Sequence, residues 1–251
     1  MSKVDSYTIA VTGASKGIGA AISLELAERG YFVACLSRSG ALPSIKQAQS
    51  IPIAKRLLGI SCDITDPEAV KLALSEANEC PGGLGGVVNN AGIAQGGRSS
   101  SLELGEFEEV MSTNVTGLFS VCQASYPMLK TRESSLIVNI GSFWDRIGGK
   151  SYVAYCASKA AVAAVTRSLA VEWARQGIRV IDVAPGYVKT DMNADHLEQE
   201  HVKAHLEKRI PRGYPGQPEE VARLVASLFC ENIAYLTGTT IYIDGGQGIA
   251  P

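Results

Sequence analysis

The residues with the most chemical potential are Tyr155 and Lys159, in the run Tyr155-Cys156-Ala157-Ser158-Lys159. On a helix this spacing puts a phenol and an ammonium on one face. A free tyrosine titrates at about 10, so it exchanges protons poorly at neutral pH unless a nearby positive charge stabilises its phenolate. Lys159 can supply that charge. Ser142 closes an apolar run before this helix, where a strand-end hydroxyl can hydrogen-bond a carbonyl while the sheet holds it still. Asn114 falls inside a long helical pattern, a position its intrinsic propensity disfavours, which points to a buried polar task. Each has an ordinary alternative when taken singly: a Tyr/Lys pair as surface decoration, Asn114 as a self-satisfied amide. Cys156 reads as a bystander thiol.

Positioning such groups requires a scaffold, and the chain has a clear rhythm. Short β-branched runs alternate with longer helical patterns, the signature of a parallel sheet wrapped by helices. Strands are expected at Thr8 to Thr12, Phe32 to Ser37, Leu58 to Asp63, Gly86 to Asn90, Leu136 to Ser142, Arg179 to Ala184 and Thr240 to Asp244. Helices are expected at Gly17 to Arg29, Pro67 to Asn78, Glu106 to Lys130, Val153 to Arg175 and Pro218 to Cys230. Thr65 is placed to cap the second of these, with Pro67 in the first turn and Glu68 reaching back. Pro43 and Pro52 interrupt Ser39 to Leu57, which reads as irregular. The fold class is α/β: a single-domain, Rossmann-type, doubly wound parallel sheet of about seven strands flanked by helices, spanning residues 1–251. The stretch from Gly186 to Pro218, with a polar helix-like piece near Ala194 to Lys208, reads as a lid over the carboxyl ends of the strands.

After the first strand comes Thr12-Gly13-Ala14-Ser15-Lys16-Gly17-Ile18-Gly19 and then a helix. Such a turn brings backbone close to a pyrophosphate and aims helix N-terminal amides at its charge. Tight strand-to-helix turns also use glycine for structural reasons alone, but this one stands where a doubly wound sheet binds dinucleotides. An acidic residue at the end of the second strand would bind a ribose 2'-hydroxyl; this chain has Ser37 and Arg38 there. With Lys16 they form a plausible 2'-phosphate pocket, so NADP(H) is favoured over NAD(H). The bland alternative is that Arg38 and Lys16 are solvated surface charges.

The glycine turn resembles the T-G-x-x-x-G-x-G of the short-chain dehydrogenase/reductase family. Asn89-Asn90-Ala91-Gly92 resembles that family's N-N-A-G motif, and Pro185-Gly186-Tyr187-Val188-Lys189-Thr190 its P-G-x-x-x-T segment. Asn114, Ser142, Tyr155 and Lys159 match its catalytic set in order and approximate spacing, and the resemblance covers essentially the whole chain. It implies hydride transfer between a nicotinamide and a carbonyl or secondary alcohol, with Tyr155 as general acid/base. Ser142 would orient the carbonyl, Lys159 would hold the ribose and favour the tyrosinate, and Asn114 would help hold a proton-relay water. Gly13, Ser15, Lys16, Gly17, Ile18, Gly19, Ser37, Arg38, Asp63, Ile64, Asn90, Ala91, Gly92, Tyr155, Lys159, Pro185, Gly186, Val188 and Thr190 are the implied cofactor contacts. Gln95, Phe143, Trp144, Asp145, Tyr152 and Tyr187 flank the predicted centre as candidate substrate residues; aromatic walls with Asp145 and Arg146 nearby suggest a moderately polar substrate. A 3-oxoacyl-[acyl-carrier-protein] reductase is the commonest specific reading, and a catalytically silent NADP-binding regulator is the non-enzymatic one.

Composition excludes several classes. With 46% hydrophobic and 19% charged residues and a net charge of -2, the chain has no basic patch for nucleic acid. Met1 to Tyr7 lacks the parts of a signal peptide, and Val153 to Ala174 is broken by Lys159, Arg167 and Glu172, which suits a buried helix better than a membrane span. Cys35, Cys62, Cys80, Cys122, Cys156 and Cys230 have no metal-site spacing and read as reduced core residues of a cytoplasmic protein. His196, His201 and His205 all fall in the lid, without an H-E-x-x-H glutamate, so no metal is expected. A serine hydrolase built on Ser142 fails for want of a G-x-S-x-G elbow. Apolar residues on more than one face of the two long helices suggest a homo-oligomer, a tetramer or dimer.

Overall fold

A computed structural model describes residues 7–43, 51–190 and 199–250. Seven parallel strands form one sheet in the order β3-β2-β1-β4-β5-β6-β7: β1 (Thr8–Thr12), β2 (Phe32–Ser37), β3 (Leu57–Ser61), β4 (Leu84–Asn89), β5 (Ser135–Ile140), β6 (Ile178–Pro185) and β7 (Thr240–Ile243). The order reverses between β1 and β4, so the loops after these strands diverge and leave a crevice at the carboxyl edge.

Residue alternation along the strands feeds two cores. Ile9, Val11, Val33, Cys35, Val138 and Ile181 point to one face, where α1 (Gly17–Glu28) packs against α8 (Pro218–Cys230). Ala10, Ala34, Leu36, Val87 and Ile137 point to the other, under α3 (Pro67–Asn78), α5 (Leu118–Leu129) and α6 (Val153–Trp173). Both faces of every strand except the edge strands β3 and β7 are therefore buried, as continuous apolar runs require. Each fully buried aliphatic side chain in these layers contributes about 1.5–3 kcal/mol.

Several expectations need correction. The helix foreseen over Glu106 to Lys130 is α4 (Leu104–Met111), then a π-helical turn over Ser112–Gly117, then α5. Asn114 is tied out of the regular ladder by bonds to Ile93 and Ser158, and Ile64 packs so closely on Gly117 that a Cβ there would sit 3.0 Å from it. Thr65 does not cap α3: its hydroxyl donates to Asp63 at 2.8 Å, and Asp66 caps by accepting from the amides of Glu68 and Ala69. Glu68 pairs with Lys71 instead of reaching back. The third and fifth strands stop at Ser61 and Ile140, because Asp63 and Ser142 cap turns of their own.

Ser39 to Leu57 holds only the short α2 (Ile51–Ala54), with 44–50 outside the described residues. The piece foreseen at Ala194 to Lys208 lies partly outside them, His196 included; its described part is α7 (Glu200–Arg209). Helix α6 is buried along one face only, with Val153 and Val171 exposed. All six cysteines are free, and only Cys35, Cys62 and Cys122 are core; Cys80 and Cys230 sit at helix ends and Cys156 beside the site. Among the described residues no helix is long and apolar enough to cross a membrane, and no group of side chains has the makings of a metal site.

Candidate active site

The crevice is a cavity of about 1270 Å³ at the carboxyl ends of the strands. At one end lies the glycine turn. Gly13 and Gly17 have φ of +64° and +59°, in the left-handed region that favours glycine. A Cβ on Gly13 would meet the Ala91 backbone at 2.9 Å, and one on Gly19 would press closer still on the carbonyl of Gly13, so both glycines permit the turn to close. Gly19 itself does not line the cavity, which is walled here by Gly13, Ser15, Lys16, Gly17 and Ile18.

The turn is clasped to the loop after β4. Thr12 Oγ1 accepts from the amides of Asn90 and Ala91, both at 3.0 Å, and Asn90 Nδ2 donates to the carbonyls of Thr12 at 3.0 Å and Gly13 at 3.2 Å. Thr12 was not singled out in the sequence; its signal is a polar side chain at a strand end that is 1% exposed. Helix α1 opens without a side-chain cap and without an acidic residue in its first turn, leaving amides and positive dipole toward the cavity. Ser37, Arg38 and Asp63 complete this end, with Ile64 and Gly92 further along. Asp63 accepts from the amide and hydroxyl of Thr65, which hold its carboxyl below the ordinary value, with Arg38 adding to the effect. Close-approach glycines, an uncapped helix start and a cation beyond β2 fit a dinucleotide phosphate chain.

The other end holds the reacting groups. Ser142 stands two residues past β5 as cap of a 3-10 turn over Phe143–Asp145, where its Oγ accepts from the Trp144 amide at 3.3 Å. Tyr155 and Lys159 rise from the first turns of α6, with Lys159 Nζ 5.5 Å from the Tyr155 ring centroid. Lys159 is 6% exposed and donates to the Ile140 carbonyl at 2.7 Å. Burial pushes its ammonium down to about 8, against the attraction of Asp182. Burial likewise pushes the Tyr155 phenol up to about 12, while the Ser142 hydroxyl pulls the other way. Desolvation is the largest influence on the phenol, in place of the lowering expected from Lys159.

Asn114 does not line the cavity. Its Oδ1 accepts from the Ile93 amide at 2.8 Å, and its Nδ2 donates to the Ile93 carbonyl at 2.9 Å and Ser158 Oγ at 3.0 Å. It is a strut between the loop after β4 and α6. Phe143, Trp144, Tyr152 and Tyr187 do line it, with Trp144 edge-on to Tyr155 at 5.8 Å and to Tyr187 at 6.1 Å. Gln95 and Asp145 are not among its walls: Gln95 donates to Glu109 at 3.0 Å, and Asp145 accepts from Tyr242 at 2.7 Å. Arg146 stacks on Tyr242 at 3.7 Å. The polar side chains foreseen beside the aromatic walls face away from the cavity. Pro185, Gly186, Val188 and Thr190 line the side toward β6, and Glu109, Ser112 and Thr113, which were not foreseen, the side toward the π-turn.

A family model described as "Enoyl-(Acyl carrier protein) reductase" matches residues 13–247. A 3beta-hydroxysteroid dehydrogenase 1 of Eggerthella lenta is 34% identical over 97% of this chain and 94% of its own. The 3-oxoacyl-[acyl-carrier-protein] reductase FabG of Vibrio cholerae is 37% identical over 94% of this chain and 95% of its own. Among solved structures, a short-chain type dehydrogenase/reductase from Mycobacterium marinum superposes with a TM-score of 0.87 at 33% identity, covering 98% of this chain and 97% of that one. An Agrobacterium tumefaciens protein provisionally named a 2-deoxy-D-gluconate 3-dehydrogenase, with NADP bound, gives 0.85 at 31% identity over 98% of both chains. The glycine turn, the doubly wound sheet and these full-length matches agree, and the chain belongs to the short-chain dehydrogenase/reductase family.

Proposed function

We propose that this oxidoreductase uses NADP(H) to interconvert a carbonyl compound and its secondary alcohol. The observation that carries the reading is one cavity with the glycine turn and Arg38 at one end and Ser142, Tyr155 and Lys159 at the other. NADPH, when bound, supplies the hydride. Gly13, Ser15, Gly17 and the start of α1 hold its phosphates; Ser37, Arg38 and Lys16 receive the 2'-phosphate; Asp63, Ile64, Asn90, Ala91 and Gly92 border the nucleoside; Pro185, Gly186, Val188 and Thr190 border the nicotinamide end.

Ser142 orients the substrate carbonyl, and Tyr155 donates its phenolic proton to the developing alkoxide. A phenol at about 12 is fully protonated at neutral pH, which suits a donor and supports reduction as the working direction. Lys159 stabilises the phenolate left behind. Asn114 fixes the helix turn and loop between which these groups are aligned. The aromatic walls from Phe143, Trp144, Tyr152 and Tyr187 favour a substrate with a substantial apolar body, and Gly186 to Pro218 acts as its lid. A 3-oxoacyl thioester reductase is the specific alternative, supported by the named Vibrio cholerae relative. Free cysteines are consistent with a reducing, cytoplasmic setting, and Leu104, Phe119, Val153 and Val171 expose apolar surface that a second subunit could cover.

The test is NADPH oxidation with acetoacetyl-coenzyme A, ethyl acetoacetate and a 3-ketosteroid, in the parent and Tyr155→Phe. A fall of roughly 10²–10⁴-fold in kcat/KM is expected for the variant; equal rates would sink the mechanism.

A further inference from the structure

Behind the reacting residues lies a charge that the proposed reaction does not use. Asp182, in the middle of β6, is 0% exposed and is the only buried carboxylate among the described residues. Its strand neighbours are Asn139 on β5 and Thr240 on β7. Thr240 Oγ1 donates to Oδ2 at 3.0 Å, while Oδ1 has no hydrogen-bond partner. The carboxylate lies against the α-carbon of Gly141: a Cβ there would sit 2.8 Å from Oδ2 and nearer still to Oδ1. Gly141 joins Ile140, whose carbonyl receives the Lys159 ammonium, to Ser142. Asp182 therefore stands across one small residue from the site, and Lys159 is the only buried lysine among the described residues. The two make no direct ion pair among the described residues; the attraction acts across the main chain.

Taking a carboxylate out of water is costly, more so with one oxygen unpartnered, unless its charge is answered nearby. The other groups facing Asp182 are Asp145 from the 3-10 turn, the Tyr242 phenol of β7 that donates to Asp145, the Gly141 amide, and Thr240 itself. Tyr155 faces Lys159 from its own helix. We propose that Asp182 is a positioning residue for the acid/base pair: acting across Gly141, its carboxylate is the counter-charge that keeps the buried Lys159 in the ammonium form beside Tyr155.

This rests on the roles proposed above for Tyr155 and Lys159. Burial pushes the Asp182 carboxyl up to about 6, with Asp145 adding to the rise and Thr240, Lys159 and the Gly141 amide opposing it, so it is ionised at neutral pH. Burial pushes Lys159 down to about 8, and Asp182 acts in the opposite direction. Removing the carboxylate charge must lower the proton affinity of Lys159 further.

The experiment is an NMR pH titration of Lys159 in protein labelled with 13C at lysine Cε, assigned with Lys159→Arg. In Asp182→Asn the midpoint is expected to fall by about one unit, a tenfold loss of proton affinity. Thr240→Val, which withdraws the hydrogen bond favouring ionised Asp182, is expected to shift it the same way by less. The alkaline limb of kcat/KM for reduction should move to lower pH with them, because Lys159 must be protonated and its proton affinity falls. A merely structural defect would lower the rate at every pH and leave the limb in place. An unmoved Lys159 midpoint in Asp182→Asn overturns the proposal, and if that variant fails to fold, an unmoved midpoint in Thr240→Val does so. The NMR titration needs no substrate, so loss of the proposed reaction and loss of this inference are separate results.

Discussion

The two sides of the cavity are built differently. Ser142 stands just past β5, and Tyr155 and Lys159 stand on α6, elements seated in the two large cores that run the width of the sheet. The opposite wall carries Tyr187, Val188 and Thr190, and Tyr187 packs with α7 on a separate small cluster in which Leu206 and Ile210 are buried with Val202 beside them. That wall is tied at its base by two backbone bonds, Lys189 to Gly216 at 2.9 Å and Gly216 to Tyr187 at 2.9 Å. Groups that must meet within tenths of an ångström sit where packing over-determines them, while Tyr187 and α7 rest on a small buried cluster that costs less to disturb. Chemistry and enclosure are separable here.

Substitutions can break or sharpen that separation. On the chemical side the largest effect is Lys159→Ala, expected to lower kcat roughly 10²–10⁴-fold by removing the phenolate's partner, with NADPH affinity read in parallel by fluorescence. Next is stability: Leu136→Ala in β5, 1% exposed, should cost about 2–5 kcal/mol in chemical denaturation. Leu206→Ala in α7, equally buried at 2%, should cost less global stability because its cluster is small, and should raise KM several-fold instead. Equal losses in the two leucine variants would show the lid to be part of the cooperative core. Arg38→Asp belongs to neither side and should lower the NADPH/NADH preference by about 10–100-fold, the worth of charge-assisted hydrogen bonds to a phosphate, in paired titrations. The mildest perturbation is pH. Lys159 titrates near 8 and is needed charged, so kcat/KM for reduction should be level below that value and fall as pH rises through it.

The sheet was legible because buried parallel strands must be apolar on both faces, and α3 and α8 because Pro67 and Pro218 mark their starts. The glycine turn and the Tyr155/Lys159 pair were legible because their spacing is local. What escaped depends on partners distant in sequence. The π-turn at Ser112–Gly117 comes from Asn114 reaching Ile93 and Ser158, Thr12 acts through Asn90 and Ala91, and Asp145 faces Tyr242 instead of the cavity. Asp182 reads in sequence as a lone acid in an apolar strand, and only the sheet register shows that it lies behind Lys159.

The clasp made by Thr12 also bears on transplantation. One hydroxyl receives both amides after β4, and the Asn90 amide reaches back to Thr12 and Gly13. A chimaera that takes its first βα unit from a relative must therefore take the Asn89 to Gly92 loop with it, or lose the registration of phosphate end to reacting end. Among the described residues the Ser37–Arg38 corner carries no such tie across the crevice, which makes it the segment to exchange when cofactor preference alone is to change.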